Sequence, residues 1–143
     1  MFEFKGAFFD SAKVIKAMAT ADRKAQSKFG AYVRTRARSL LRRRKKASSP
    51  GSPPSVHASG KYATLKNVLF GYDVRSRSTI VGPVLLRNKS AKASVPKLHE
   101  FGGSVLRPSG KTARYPARPF MAPALAAERP RFPNLFRASL RAA

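Results

Sequence analysis

The stretch SAKVIKAMATADRKAQSKFGAYVRTRARSLLRRRKK, residues 11–46, decides the fold. Apolar or small residues recur in it at Val14, Met18, Ala21, Ala25, Phe29, Tyr32, Val33, Ala37, Leu40 and Leu41, mostly in steps of three or four. Such spacing lays them along one stripe of a 3.6-residue helix. No proline interrupts the pattern, which predicts one long amphipathic helix over residues 11–45, capped by Asp10 or Ser11. Gly30 is its weak point, costing about 1 kcal/mol relative to alanine. At 1.5 Å per residue the helix spans roughly 50 Å, more than a domain of this size needs internally, so part of it is expected to pack on a neighbour.

Outward from the helix the signals are shorter. Upstream, Phe2, Glu3, Phe4 and Lys5 alternate apolar and polar, which suits a half-buried strand ending near Gly6. Downstream, the prolines and serines of residues 47–60 remove backbone donors and predict an exposed, mobile loop. The segments 65–74 and 79–81, rich in β-branched and aromatic residues, read as a hairpin across the Arg75-Ser76-Arg77-Ser78 tract. Residues 95–101 read as a third strand, and residues 102–118, with Gly102, Gly103, Pro108, Gly110 and Pro116, as a long basic loop. Pro119 suits the first turn of a helix, and Pro130 and Pro133 separate that helix from a last one holding Leu135, Phe136 and Leu140. The fold class that follows is α+β: a long N-terminal amphipathic helix, a small antiparallel sheet and short C-terminal helices.

The length of 143 residues suits one ordinary domain, burying roughly 70% of its unfolded surface. Thirty Lys and Arg against six Asp and Glu give a formal charge of +24, so an isolated monomer repels itself and a partner is expected. Nucleic acid is one candidate, because neutralising phosphates releases counterions; an acidic protein surface is another. There is no cysteine, so no disulfide framework or thiolate metal site is available. That fits a reducing compartment or a virion without separating them. Residues 1–10 lack a basic region followed by an apolar run, and no eighteen apolar residues run together, so neither an export signal nor a membrane span is expected.

Catalytic chemistry is poorly supplied. The acids Glu3, Asp10, Asp22, Asp73, Glu100 and Glu128 are scattered, and the only histidines are His57 and His99. A His99–Glu100 relay would lack a cysteine nucleophile or a serine in an elbow pattern, so no enzyme activity, cofactor or metal is expected. Ser109-Gly110-Lys111-Thr112 resembles the end of a phosphate-binding loop, but Val105 stands where that pattern needs glycine, and Pro116 interrupts the following helix. Asn88-Lys89-Ser90 fits a glycosylation triplet, which carries no weight without export.

The strongest charge feature is Arg34, Arg36, Arg38, Arg42, Arg43, Arg44, Lys45 and Lys46, eight positive charges in thirteen residues. A helix C-terminus favours cations by about 0.3–1 kcal/mol each within its last turn, too little and too short-ranged to explain eight. These residues, with Arg107, Lys111 and Arg114, are therefore expected to meet DNA phosphate or an acidic partner. No aromatics interleave with them, which argues against stacking on single-stranded bases.

Three further segments carry a resemblance: Gly82-Pro83; then Val95-Pro96-Lys97-Leu98-His99-Glu100-Phe101-Gly102-Gly103; then Pro116-Ala117-Arg118-Pro119-Phe120-Met121-Ala122-Pro123-Ala124-Leu125. In order and spacing they resemble the head-tail joining, neck and tail-completion proteins of tailed double-stranded DNA phages, in which a long helix and a Pro-rich stretch ending in glycine precede a Glu-Phe-Gly turn and an Ala-Arg-Pro-Phe helix start. The resemblance covers most of the chain from residue 11 onward. It implies a non-catalytic virion protein, formed in the host cytoplasm, that assembles as a homo-oligomeric ring at the head-tail junction or top of the tail. Neighbours would be other neck, tail-tube or connector proteins and, without sequence preference, double-stranded DNA. Glu100, Phe101, Gly102, Ala117, Arg118, Pro119, Phe120 and Pro123 are the motif residues, with structural or interface roles, core packing being favoured for Phe120, Met121 and Leu125. The charge of residues 34–46 is not borrowed from that family. Two rivals remain: a tail-terminator subunit, and a free-standing basic nucleic-acid-binding protein, which leaves the Glu-Phe-Gly and Ala-Arg-Pro-Phe segments unexplained.

Overall fold

A computed structural model describes residues 10–56, 65–84, 94–107 and 109–142. Its frame is helix α1, Ser11–Leu40, which begins where the Asp10 carboxylate accepts the Lys13 N–H at 3.0 Å. The expected strand at residues 2–5 lies outside the described residues. Helix α1 ends five residues earlier than the expected residue 45. Leaving it lets Leu41 enter the core, fully buried, while Arg43 forms an isolated parallel bridge with Val56 and the Val56 N–H donates to the Arg42 carbonyl at 3.1 Å.

The Pro/Ser-rich segment is likewise not the exposed loop its composition predicts, as far as residue 56. Ser48, Pro54 and Val56 are buried, and the Gly51 N–H donates to the Ala117 carbonyl at 2.8 Å. Backbone pairing and three buried side chains hold this stretch as a strap against the body. Residues 57–60 lie outside the described residues.

Strands β1, Val68–Asp73, and β2, Ser78–Pro83, form the expected antiparallel hairpin in the register Val68↔Pro83 to Asp73↔Ser78. Its polar connection is shaped by Asp73, whose carboxylate accepts the Arg75 N–H at 3.0 Å and the Ser76 hydroxyl at 2.6 Å. One face of the hairpin packs on α1. Contact is closest at Gly30, where an added Cβ would lie 2.5 Å from Thr79 Cγ2 and 3.0 Å from the Phe70 ring. The weak point in the helix is thus the gap that admits the sheet. Gly30→Ala, a gain of about 1 kcal/mol in helix propensity, is expected to destabilise the protein by about 1–3 kcal/mol through overpacking. Chemical denaturation checks it; a stabilised variant would show that α1 does not seat on the hairpin at this point.

Two sequence expectations are corrected beyond the hairpin. Residues 95–101 are not a third strand but helix α2, Val95–Phe101, with Pro96 in its first turn and Gly102 at its end, φ 71°, donating its N–H to the Leu98 carbonyl at 2.9 Å. Proline at the start and glycine past the end are helix punctuation, and they override the strand preference of Val95 and Phe101. Nor are residues 102–118 a loop throughout. They contain β3, Gly103–Leu106, and β4, Thr112–Tyr115, an antiparallel hairpin turned at Gly110, φ 75°. The near-miss phosphate loop, residues 109–112, is the tip and first strand residue of this hairpin.

The C-terminal helices are α3, Met121–Glu128, and α4, Phe132–Arg141, joined by one 3-10 turn, Arg129–Arg131. Pro119 lies just outside α3 rather than in its first turn. Pro130 and Pro133 sit in the first turns of the 3-10 segment and of α4, where a missing N–H costs nothing. Both helices pack on α1. The buried residues Ala21 and Ala25 of α1 and Ser139 of α4 are small, which suits close approach, and Phe29 meets Phe132 edge-on at 5.3 Å between ring centres.

The core cluster gathers Val33, Ala37, Leu41, Val56, Leu65, Val68, Phe120 and Ala124, with Phe29, Leu40, Val81 and Met121 packed against it. It lies over the C-terminal half of α1. Met18, Leu69 and Ile80 are at least half exposed on the single chain.

Candidate interaction surfaces and the motif latch

The motif residues of the C-terminal half build a latch. The Glu100 carboxylate, at the end of α2, accepts the N–H groups of Phe120 at 2.9 Å, Met121 at 3.0 Å and Ala122 at 2.8 Å. These are unpaired donors at the start of α3, and a carboxylate there is favoured by both hydrogen bonding and the helix dipole. The next residues tighten the contact. The Arg118 N–H donates to the His99 carbonyl at 2.7 Å, and Arg118 Nε donates to the Ser48 carbonyl at 2.9 Å. Gly102 is required twice over: its φ is positive, and a Cβ would lie 2.9 Å from the Ala117 nitrogen and 3.0 Å from the Tyr115 oxygen.

The latch therefore binds the strap, α2 and the start of α3 into one junction. Phe120 is its buried plug, with no exposed surface, whereas Leu125 remains 48% exposed and so is not a core residue. Phe101 points outward at 75% exposure, and Pro123 is exposed too. Glu100, Gly102, Ala117, Arg118 and Phe120 hold the fold, while Phe101 and Pro123 are free for contact.

His99 sits against this junction. Burial, and then the nearby Arg118 charge, hold its imidazole below the usual value of 6.5. The folded chain thus binds this proton less readily than the unfolded one. Its contribution to stability is complete above about pH 6.5, falls as the pH drops through that value, and levels off below the folded pKa. Denaturation midpoints between pH 7.5 and 5.5 are expected to decline in the native chain and to decline less in His99→Gln; equal declines would place the titration elsewhere. No relay with Glu100 is formed, since that carboxylate is committed to α3. Among the described residues, no cluster of three or more histidines and acids is placed to hold a metal. No described helix is long and apolar enough to cross a membrane.

The basic residues divide into two groups. Arg34 Nε donates to the Val68 carbonyl at 2.9 Å and ties α1 to β1. Arg36 Nε stands 3.5 Å from the buried Glu128 carboxylate, which Arg131 also meets at 3.0 Å. Both Arg34 and Arg36 serve the fold. By contrast Arg38, Arg42, Arg43, Arg44, Lys45 and Lys46 are exposed and form no ion pair with another described residue. All but Arg38 lie beyond the end of α1, in the irregular segment that leads into the strap. Arg107, Lys111 and Arg114 are exposed on the β3–β4 hairpin, whose strands pack extensively only on each other. The strap that follows Lys46 is bonded to Ala117 and Arg118 at the foot of this hairpin, so both basic elements leave the same junction.

Two apolar surfaces take shape only in the fold. The outer face of the β1–β2 hairpin presents Leu69 and Ile80, 59% and 65% exposed, beside Gly71 and Gly82. Ile15, Met18 and Val74 line an open cleft at the other end of α1. The available signal was Ile15 itself, an apolar residue next to Val14 but off the helical stripe. Comparison with family models, curated proteins and solved structures finds no match to this chain.

Proposed function

We propose that this chain is a structural virion protein, a subunit of a homo-oligomeric ring at the head-tail junction or top of the tail of a double-stranded DNA phage. In this reading the ring surrounds the DNA path and joins head to tail without catalysis. The observation that carries it is the separation of charge. The five described acids are all engaged, Asp10 by Lys13, Asp22 by Gln26, Asp73 by its own turn, Glu100 by α3 and Glu128 by two arginines. Residues 42–46 and the β3–β4 hairpin therefore project positive charge that nothing described neutralises. A conduit must pass a polyanion without gripping particular bases, and phosphate contacts suit that task. The exposed Leu69 and Ile80 add apolar surface for neighbouring subunits, and the location is proposed from the resemblance of the latch segments to neck and tail-completion proteins.

Neutralising Arg42, Arg43, Arg44, Lys45 and Lys46 with glutamine tests the reading. Affinity for random-sequence duplex DNA is expected to fall at least about tenfold, and its logarithmic salt slope to flatten by up to about 4.5 if all five meet phosphates. Incorporation into particles should fall with it. If both DNA affinity and incorporation stay unchanged, residues 42–46 do not serve the DNA path.

A further inference from the structure

The N-terminal half of α1, the turn at residues 74–77 and α4 enclose an open cleft of about 760 Å³ that the DNA-path reading does not use. Its floor is apolar, with Ile15, Met18 and Val74 exposed by 65%, 50% and 70% and with Tyr72 and Phe136 beside them. Its rim is basic, formed by Lys16, Arg23 and Arg77. The one acid on the lining, Asp22, accepts from the neutral Gln26 amide at 3.1 and 3.3 Å, so three positive charges on the lining stand against one negative.

Arg77, in the turn beside the cleft, has an unusual backbone conformation. It is the only non-glycine residue with positive φ among those described, at 49°. Glycine or asparagine would hold that turn at lower backbone cost. The conformation is pinned because Gln26 Nε2 donates to the Arg77 carbonyl at 2.8 Å. This bond fixes the backbone of the turn from which Arg77 lines the cleft.

We infer that this cleft docks an acidic, amphipathic segment of another protein, with apolar anchors against Ile15, Met18 and Val74 and carboxylates facing Lys16, Arg23 and Arg77. Charge complementarity selects this occupant over a second copy. Another copy brings +24, and its five described acids are already engaged. Apolar anchors give such a complex affinity, while the charged rim sets orientation and rejects basic segments. The site is independent of the ring and of the DNA path, and either can fail without the other.

The test uses the whole chain and a fluorescent synthetic peptide with leucines on one helical face and glutamates elsewhere. A scramble of the same composition, a lysine counterpart and the peptide MFEFKGAFFD, residues 1–10 of this chain, serve as competitors. The glutamate peptide is expected to bind at least about tenfold more tightly than its scramble, a difference of about 1.4 kcal/mol. Met18→Glu, a change at an exposed site, and Arg77→Gly should each weaken binding by a similar factor. Arg77→Gly should do so while leaving the thermal midpoint unchanged or higher, which separates lost contact from lost folding. Neutralising residues 42–46 should change peptide affinity less than Arg77→Gly does. The inference is overturned if the scramble binds equally, if Met18→Glu has no effect, or if neutralising residues 42–46 weakens binding as much as Arg77→Gly. Displacement by MFEFKGAFFD as effective as by the unlabelled glutamate peptide would assign the cleft to this chain's own N-terminal segment, in the same or another copy, and would also overturn it.

Discussion

Glu100→Ala is expected to cost about 3–4 kcal/mol of folding stability, although its side chain lies on a seven-residue helix and its partners are backbone amides. Hydrogen bonds to a charged acceptor contribute about 1.5–3 kcal/mol each, and the three here converge on one carboxylate. They are not fully additive, and the amide of Ala122 can turn to water, so the total falls below three separate bonds. Glu100→Gln keeps one carbonyl oxygen as acceptor and is expected to lose about half as much. Urea denaturation of the three chains gives the order native, glutamine, alanine. An alanine variant within about 0.5 kcal/mol of the native chain, the usual range for surface substitutions, would remove the latch from the account.

Phe120 and Phe101 lie nineteen residues apart in sequence, one buried at the junction and the other exposed beside it. Phe120 is wholly buried among the core residues, so Phe120→Ala is expected to cost about 3–5 kcal/mol, enough to unfold a marginal domain. Phe101 is 75% exposed, and Phe101→Ala is expected to leave stability within about 0.5 kcal/mol. Folding measurements on the two variants separate a packing role from a contact role. In assembly Phe101→Ala has its own consequence: a folded chain with impaired incorporation would identify Phe101 as a contact residue. Equal losses of stability in the two variants would contradict the placement of the rings.

The legible parts of the fold were those whose partners are close in sequence. The body of α1 follows from its stripe, and the β1–β2 hairpin from two β-rich runs around a polar connection. The end of α1 was hidden because Leu41 continues the stripe and arginine and lysine are good helix formers. What accompanies the helix end is the burial of Leu41 together with a bridge to Val56, thirteen residues beyond Arg43. Helix α2, with seven residues, is too short for periodicity to outweigh its terminal Val95 and Phe101. Strands β3 and β4 have four residues each and sit among glycines and prolines, which read as a loop until the two are paired. In the candidate sites, the exposed basic residues were legible as charge, but the structural work of Arg34 and Arg36 was not, since Val68 and Glu128 are distant in sequence. The resemblance marked Glu100 and residues 117–120 as important without saying why. Only the placement of α2 against the start of α3 makes the carboxylate a cap.

The strap gives the strongest link between fold and proposed role. Leaving α1 at Leu40 turns residues 42–46 outward while Leu41 and Val56 anchor the segment on both sides. The charges are thus held on an anchored backbone, and less ordering entropy opposes their contact with phosphate than on a free tail. The β3–β4 hairpin carries Arg107, Lys111 and Arg114 away from the same junction. Weakening the latch should therefore lower assembly through misplacement of both basic elements as well as through stability.

Quantitative mass spectrometry of purified particles, counting copies of this chain per tail against a protein of known stoichiometry, tests the proposed role most directly. A ring subunit requires several copies in a fixed number, retained when the tails are separated from the heads or left with the heads at the junction. Absence from the particle, or a single copy per tail, would contradict the ring and leave a free-standing basic protein as the better description.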